Sequence, residues 1–155
     1  MPYSVRVYGA GGCGTNIASR YFKESNSSVS LEPAILDTSE ANLADVDRSK
    51  ISTYLVEGTD GSGKIRQDNY PKIKESIKQM LVEIPAKDLN IVVFSAGGGS
   101  GSVIGPLILS ELLSRKEMAI AIVIGDAESL VSAENTKKTL HSLELVSQKT
   151  EIPVV

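Results

Sequence analysis

Two glycine-rich segments constrain this chain more than any other feature, because each sits directly between an apolar run and an amphipathic one. The first is Gly9-Ala10-Gly11-Gly12-Cys13-Gly14-Thr15-Asn16, behind a strand at Ser4–Gly9 and ahead of a helix at Thr15–Lys23. The second is Ala96-Gly97-Gly98-Gly99-Ser100-Gly101-Ser102, behind a strand at Asn90–Ser95 and ahead of a helix that carries Pro106 and runs through Leu113. Glycine lets the backbone take positive φ and brings bare N–H groups close to a ligand. A helix N-terminus adds unpaired donors and a partial positive charge. Each segment therefore reads as an anion seat; a plain tight turn needs less glycine than this.

The remaining periodicity places these seats in a fold. Strands are expected at Pro33–Asp37, Ile51–Val56 and Met118–Ile124, with Val154 and Val155 inside a sixth. The first helix should carry Ile17, Ala18, Tyr21 and Phe22 on one face. A later one, capped by Asp68 or Asn69 with Pro71 in its first turn, should turn Ile73, Ile77, Met80, Leu81 and Ile84 inward. The last, from about Ser132, should bury Leu140, Leu143 and Val146. Regular alternation predicts one α/β domain over residues 1–155. It would be a Rossmann-like, doubly wound parallel sheet of about six strands with helices on both faces. In such sheets ligands bind at the carboxyl ends of the strands, at the switch in strand order. Strands one and four flank that switch in the order 3-2-1-4-5-6. Both glycine segments should then face one crevice.

Composition says how an anion would be held. The net charge is −3, with 41% hydrophobic and 23% charged residues, a globular balance with no bulk pull on nucleic acid or anionic lipid. Any phosphate must be gripped by a local device. No apolar run approaches the roughly 18 residues of a membrane span, and no secretory signal is expected at the N-terminus. Cys13 is the sole cysteine, which excludes an internal disulfide and fits a reducing, cytoplasmic setting. With His141 the only histidine, on an expected solvated face, neither a metal cluster nor a Cys–His nucleophile is expected. Cys13 reads as a small residue among glycines.

Two other nucleotide motifs compete. Gly9 to Gly14 also satisfies GxGxxG, with Asp37 closing the second strand as a possible ribose ligand, so an NAD-binding Rossmann oxidoreductase is the alternative. That reading leaves the second glycine segment without a task. Gly58-Thr59-Asp60-Gly61-Ser62-Gly63-Lys64 matches GxxxxGK, but Ile65 stands where a P-loop has Ser or Thr, and the helix is expected to start later, near Asp68. The P-loop reading is rejected. Lys64 and Arg66 either flank the phosphates or are ordinary surface cations.

Gly97-Gly98-Gly99-Ser100-Gly101-Ser102 resembles the GGGTGTG/GGGTGS signature of the tubulin/FtsZ family, and Gly9 to Asn16 looks like its first loop, GxGGxGxN. Within the family, Ser95–Leu113 and the Gly58–Gly63 loop look most similar to the phage-encoded tubulins. The resemblance covers essentially the whole chain. It implies that Gly11, Gly12, Cys13 and Gly14 meet the phosphates of GTP or GDP, with Asn16 nearer the nucleoside. Asp37 and Thr38 would lie near the phosphates and Mg²⁺, and Gly61, Ser62, Gly63 and Lys64 would sense the γ-phosphate. Gly97, Gly98, Gly99, Ser100, Gly101 and Ser102 would form the main cradle. Gly125 to Ser129 would be the ribose loop, with Glu128 favoured as the sugar-binding acid and Asp126 second; the family's Pro-Phe-x-x-Glu-Gly pattern is absent there.

The same resemblance implies a cytoskeletal GTPase that partners itself in filaments and positions phage or plasmid cargo through an adaptor, touching neither nucleic acid nor membrane. It implies no catalytic side chain in this chain: the acid comes from a second domain of the neighbouring subunit, and the sequence stops at Val155 before that domain. A single-turnover assay at low concentration should accordingly show no GTP cleavage by these 155 residues alone. Cleavage there would contradict the borrowed-acid mechanism.

Overall fold

The computed structural model describes residues 1–20, 28–59 and 66–153. Five parallel strands form one sheet: β1 (Tyr3–Ala10), β2 (Val29–Asp37), β3 (Ser52–Leu55), β4 (Leu89–Ser95) and β5 (Ala119–Ile124), in the order β3-β2-β1-β4-β5. The helices are α1 (Gly11–Ala18), α2 (Glu40–Leu43), α3 (Arg66–Glu83), α4 (Gly101–Ser114) and α5 (Leu130–Thr150). Strand order agrees with the expected topology as far as it is described. The sixth strand, assigned from Val154 and Val155, lies outside the described residues, as do Tyr21 and Phe22 of the first helix.

Period-two alternation divides the strands between two cores. Tyr8, Ala10, Leu36, Val92 and Phe94 point to one face, where they meet Ile73, Ile77, Met80 and Leu81 of α3, Ile84 just past its end, a run of α4 side chains and Leu143 of α5. Val5, Val7, Ile35 and Val93 point to the other, under Ala18 of α1 and Leu43 of α2. Burial on both faces is why β4 reads as a continuous apolar run. At the edge, β5 buries only one side: Ala119, Ala121 and Val123 pack inward, while Ile120 and Ile122 stay about half exposed, at 49% and 50%.

Several boundaries differ from the sequence reading, each for a local reason. The first helix starts at Gly11, four residues before the expected Thr15, so the glycine segment is the helix's own first turn. α3 is already helical at Arg66, before Asp68, and carries Pro71 internally. Leu140 is 55% exposed, because the turn of α5 that meets the sheet presents Asn135 and Thr139 there instead. The four-residue α2 was too short to leave a periodic signal.

The strand ends are level. Ala10 pairs with Leu36 on one side and Phe94 on the other, so β1 ends within one residue of β2 and β4, whose last residues Asp37 and Ser95 still pair outward with Leu55 and Ile124. α4 is held down by Gly105, where a Cβ would fall 2.3 Å from the Phe94 ring. Gly105→Ala would gain about 1 kcal/mol of helix propensity. Overpacking a ring that is itself fully buried costs about 1–3 kcal/mol, so the clash wins. Chemical denaturation should show Gly105→Ala to be net destabilised, and Phe94→Leu should recover part of that loss in the double variant.

Candidate functional site

At the centre of the sheet the chain leaves β1 toward one face and β4 toward the other, and the two helices that follow begin against each other. A Cβ on Gly11 would lie 2.7 Å from the Gly101 nitrogen; one on Gly101 would lie 2.5 Å from the Ala10 carbonyl oxygen. Gly11 also has φ of 69°, in the left-handed region where a side chain is strained. The N-termini of α1 and α4 thus meet backbone to backbone. Gly9 and Gly14 serve a different end: Cβ atoms there would strike Gly14 O at 2.3 Å and Val93 O at 2.4 Å, so these glycines seat α1 on the sheet.

Neither helix start is closed by its own chain. α1 and α4 have no side-chain cap and no acid in the first turn. By contrast α5 is closed by a reciprocal capping box between Ser129 and Ser132. An uncapped helix start with the positive end of its dipole is chemically suited to an anion, and two such starts meet here. Of the first segment, Gly12 and Cys13 are half-buried and Asn16 is exposed; of the second, Gly98 and Ser100 are half-buried and Gly97, Gly99, Gly101 and Ser102 are buried.

The loop after β2 ties the surroundings together. Asp37 is fully buried, its Oδ1 accepting from the amides of Thr38 (2.7 Å) and Ser39 (3.1 Å) and its Oδ2 from Asn42 Nδ2 (2.9 Å). The shaped loop sets the Thr38 hydroxyl 2.5 Å from Ser100 Oγ, and Asn42 lies against Gly12. Thr59, behind β3, donates to the Val56 and Thr38 carbonyls at 2.6 and 3.1 Å. Burial pushes the Asp37 carboxyl above its ordinary range; the three hydrogen bonds pull it partly back.

On the β5 side, a Cβ on Gly97 would meet Asp126 Cβ at 2.8 Å, so Asp126 packs directly on the second glycine segment. Burial, and after it the Asp126 carboxylate, raises the Cys13 thiol above its usual range. Asp126 is therefore close enough to both segments to matter electrically. Glu128, the acid favoured from sequence, is exposed, and its amide donates to Asp126 Oδ1 at 3.0 Å. Gly61, Ser62, Gly63 and Lys64 lie outside the described residues. With α3 already formed at Arg66, the late-helix argument against a P-loop fails; the missing hydroxyl at Ile65 still stands. Among the described residues no three His, Cys, Asp or Glu side chains cluster as metal ligands, and no helix is long and apolar enough to cross a membrane.

Sequence reasoning missed Asn42, Asn135, Thr136 and Thr139. Asn135 Nδ2 donates to the Gly97 and Gly98 carbonyls at 3.2 and 3.5 Å, Thr139 Oγ1 to Ala96 O at 2.8 Å and Thr136 Oγ1 to Asp126 O at 2.5 Å. The available signal was a polar Asn-Thr pair and a Thr four residues after the Asn, where the helix should have been apolar.

Comparison with known proteins bears on this crevice. A family described as the tubulin/FtsZ family, GTPase domain, matches residues 4–151. A phage tubulin-like protein of Pseudomonas phage 201phi2-1 is 36% identical over 157 residues, covering 100% of this chain and 47% of that protein. A second, of Pseudomonas phage PhiPA3, is 38% identical over 151 residues, covering 97% and 45%. Among solved structures, phage tubulin PhuZ with GDP superposes with a TM-score of 0.83 at 32% identity, covering 98% of this chain and 46% of that one. The protofilament of TubZ from bacteriophage PhiKZ gives 0.82 at 33%, covering 97% and 47%. The chain spans about half the length of the curated relatives it matches.

Titration of Asp37 can be isolated by comparing the chain with Asp37→Asn. A carboxyl whose folded pKa is raised favours the fold below its unfolded value of 3.8 and loses that contribution as pH rises through the folded value. The difference in melting temperature, variant minus parent, should therefore be more positive at pH 7 than at pH 4. A difference that is flat or of opposite slope would show that the buried charge is fully compensated.

Proposed function

This chain belongs to the tubulin/FtsZ family, and from that membership we propose that it is the GTP-binding part of a filament-forming GTPase of the phage-tubulin kind. The observation that carries the proposal is the meeting of two uncapped helix N-termini at Gly11 and Gly101. A triphosphate concentrates negative charge over a short length, and two converging sets of amides match it better than one.

The roles follow from position. Gly11, Gly12, Cys13 and Gly14 contribute the α1 amides; Gly97 through Ser102 form the second cradle, with amides from Gly98 onward into the first turn of α4 and the Ser100 and Ser102 hydroxyls. Asn16, exposed beyond the first turn, faces the nucleoside end. Asp126 is the better ribose acid, since it packs on Gly97 and reaches Cys13 electrostatically, whereas Glu128 points into solvent. Asp37 and Thr38 shape the phosphate end, and Gly61, Ser62, Gly63 and Lys64 are assigned to the γ-phosphate.

The donor set fits a Mg²⁺ held by phosphate oxygens and water, as Mg²⁺ prefers. Asp37, fully buried with both oxygens committed to its own loop, lies behind the Thr38–Ser100 hydroxyl pair, so no described side chain is assigned as a direct ligand. When bound, the ion would neutralise charge growing on the phosphates. The chain's own residues orient the nucleotide, supply amides to the developing charge and keep the γ-phosphate facing outward. Water attacks that phosphate, with its activating carboxylate drawn from the next subunit of the filament. This reading places the protein in the cytoplasm with itself as principal partner, and with phage or plasmid cargo attached through an adaptor.

Thermal unfolding with ligands separates this reading from dinucleotide binding. GDP or GTP at about 100 Kd should stabilise the chain by roughly 2.7 kcal/mol, while NADH leaves the melting temperature unchanged. Stabilisation by NADH and not by guanine nucleotides would overturn the assignment.

A further inference from the structure

The N-terminal part of the α5 face that meets the sheet is polar where an apolar stripe would be expected; farther along, Leu143 and Val146 restore the stripe. Asn135 is 5% exposed and Thr139 is fully buried, yet Leu140, the next residue, lies 55% in solvent. These buried side chains have a common use. Thr139 donates to Ala96 O, Asn135 to Gly97 O and Gly98 O, and Thr136, between them, to Asp126 O. One and a half turns of a single helix thus hold the carbonyls of the second glycine segment and of the acid-bearing loop after β5.

A peptide unit fixes its C=O and the following N–H in opposite directions. Drawing Gly97 O and Gly98 O toward α5 therefore aims the Gly98 and Gly99 amides away from α5. The Gly97 amide is not among the donors so aimed, since it is taken by Ser95 Oγ at 3.3 Å. A run of glycines has little preference of its own between the two orientations of each peptide plane. A flipped plane would present a carbonyl dipole to an anion and repel it.

We propose that Asn135, Thr136 and Thr139 are positioning residues: Asn135 holds the Gly97–Gly98 and Gly98–Gly99 peptide planes with their amides facing the phosphates, Thr139 anchors the start of that segment at Ala96 O, and Thr136 holds the Asp126 backbone beside the cradle. The inference rests on the nucleotide reading above and adds to it residues that touch no ligand. It explains why this turn of a buried helix face gives up apolar contacts for side-chain donors, since each of them reaches a carbonyl of the site; the Thr139 hydroxyl is shared between Ala96 O at 2.8 Å and Asn135 O of its own helix at 2.7 Å. Fixing the planes before binding removes an ordering cost that the nucleotide would otherwise meet.

Titration of GDP into the full chain and its variants tests the proposal, with ligand-free melting temperatures recorded alongside. Thr139→Val, close in shape but without the hydroxyl, should weaken GDP about tenfold, and Thr139→Ser should return affinity to within about twofold of the parent. Asn135→Asp, which sets an acceptor against two carbonyls, should weaken GDP further; if that variant does not fold, the threonine pair carries the test. A Thr139→Val chain that melts lower but binds GDP as the parent does would make the turn merely structural and overturn the proposal. So would a Thr139→Ser chain as impaired as Thr139→Val. An unmodified chain that fails to bind GDP overturns the nucleotide reading itself, and that result is recognisable before any variant is made.

Discussion

Everything in this domain is arranged around the contact between the first turns of α1 and α4. Gly11 and Gly101 approach so closely that neither can carry a Cβ. Two helix dipoles with their positive ends together repel, and neither helix start has a side-chain cap or a first-turn acid to offset this. The fold accepts that local cost at the switch in strand order, where a polyphosphate can offset it. Level strand ends, Gly9 and Gly14 under α1, and Gly105 under α4 all serve to bring the two helix starts to one height.

Around this contact the polar side chains divide the work. Asp37 fixes the loop after β2, which presents Thr38 to Ser100 and Asn42 to Gly12. α5 works from behind, on carbonyls. Its own N-terminus is closed by Ser129 and Ser132, so its donors are spent internally and do not compete for the ligand. The result is a pair of helix starts with the Thr38 and Ser100 hydroxyls on one side and Asp126 on the other. On the proposed reading, this local arrangement lets a mildly acidic protein with net charge −3 hold a highly charged anion.

Much of this could be read in the residues. Unbroken apolar runs such as Val92–Phe94 gave the strands, and the Ile73, Ile77, Met80, Leu81 and Ile84 spacing gave the buried face of α3. The glycine segments gave the place where the two segments meet. What the sequence hid was of two kinds. Boundaries next to glycine shifted, because Gly11 and Gly12 are poor helix formers in isolation and become helical only when the sheet and α4 hold them. The positioning side chains were hidden because a buried Asn or Thr has no periodic signature, and its value depends on carbonyls far away in the chain, 37 or 38 residues in the case of Asn135. Choosing between Asp126 and Glu128 likewise required knowing which one packs on Gly97.

The most direct measurement is a structure of the chain with a non-hydrolysable GTP analogue. The account predicts one polyphosphate in contact with amides from both helix starts, some from Gly11 to Cys13 and others from Gly98 to Gly101. An analogue held by only one of the two, or seated away from the Gly11–Gly101 contact, would contradict it.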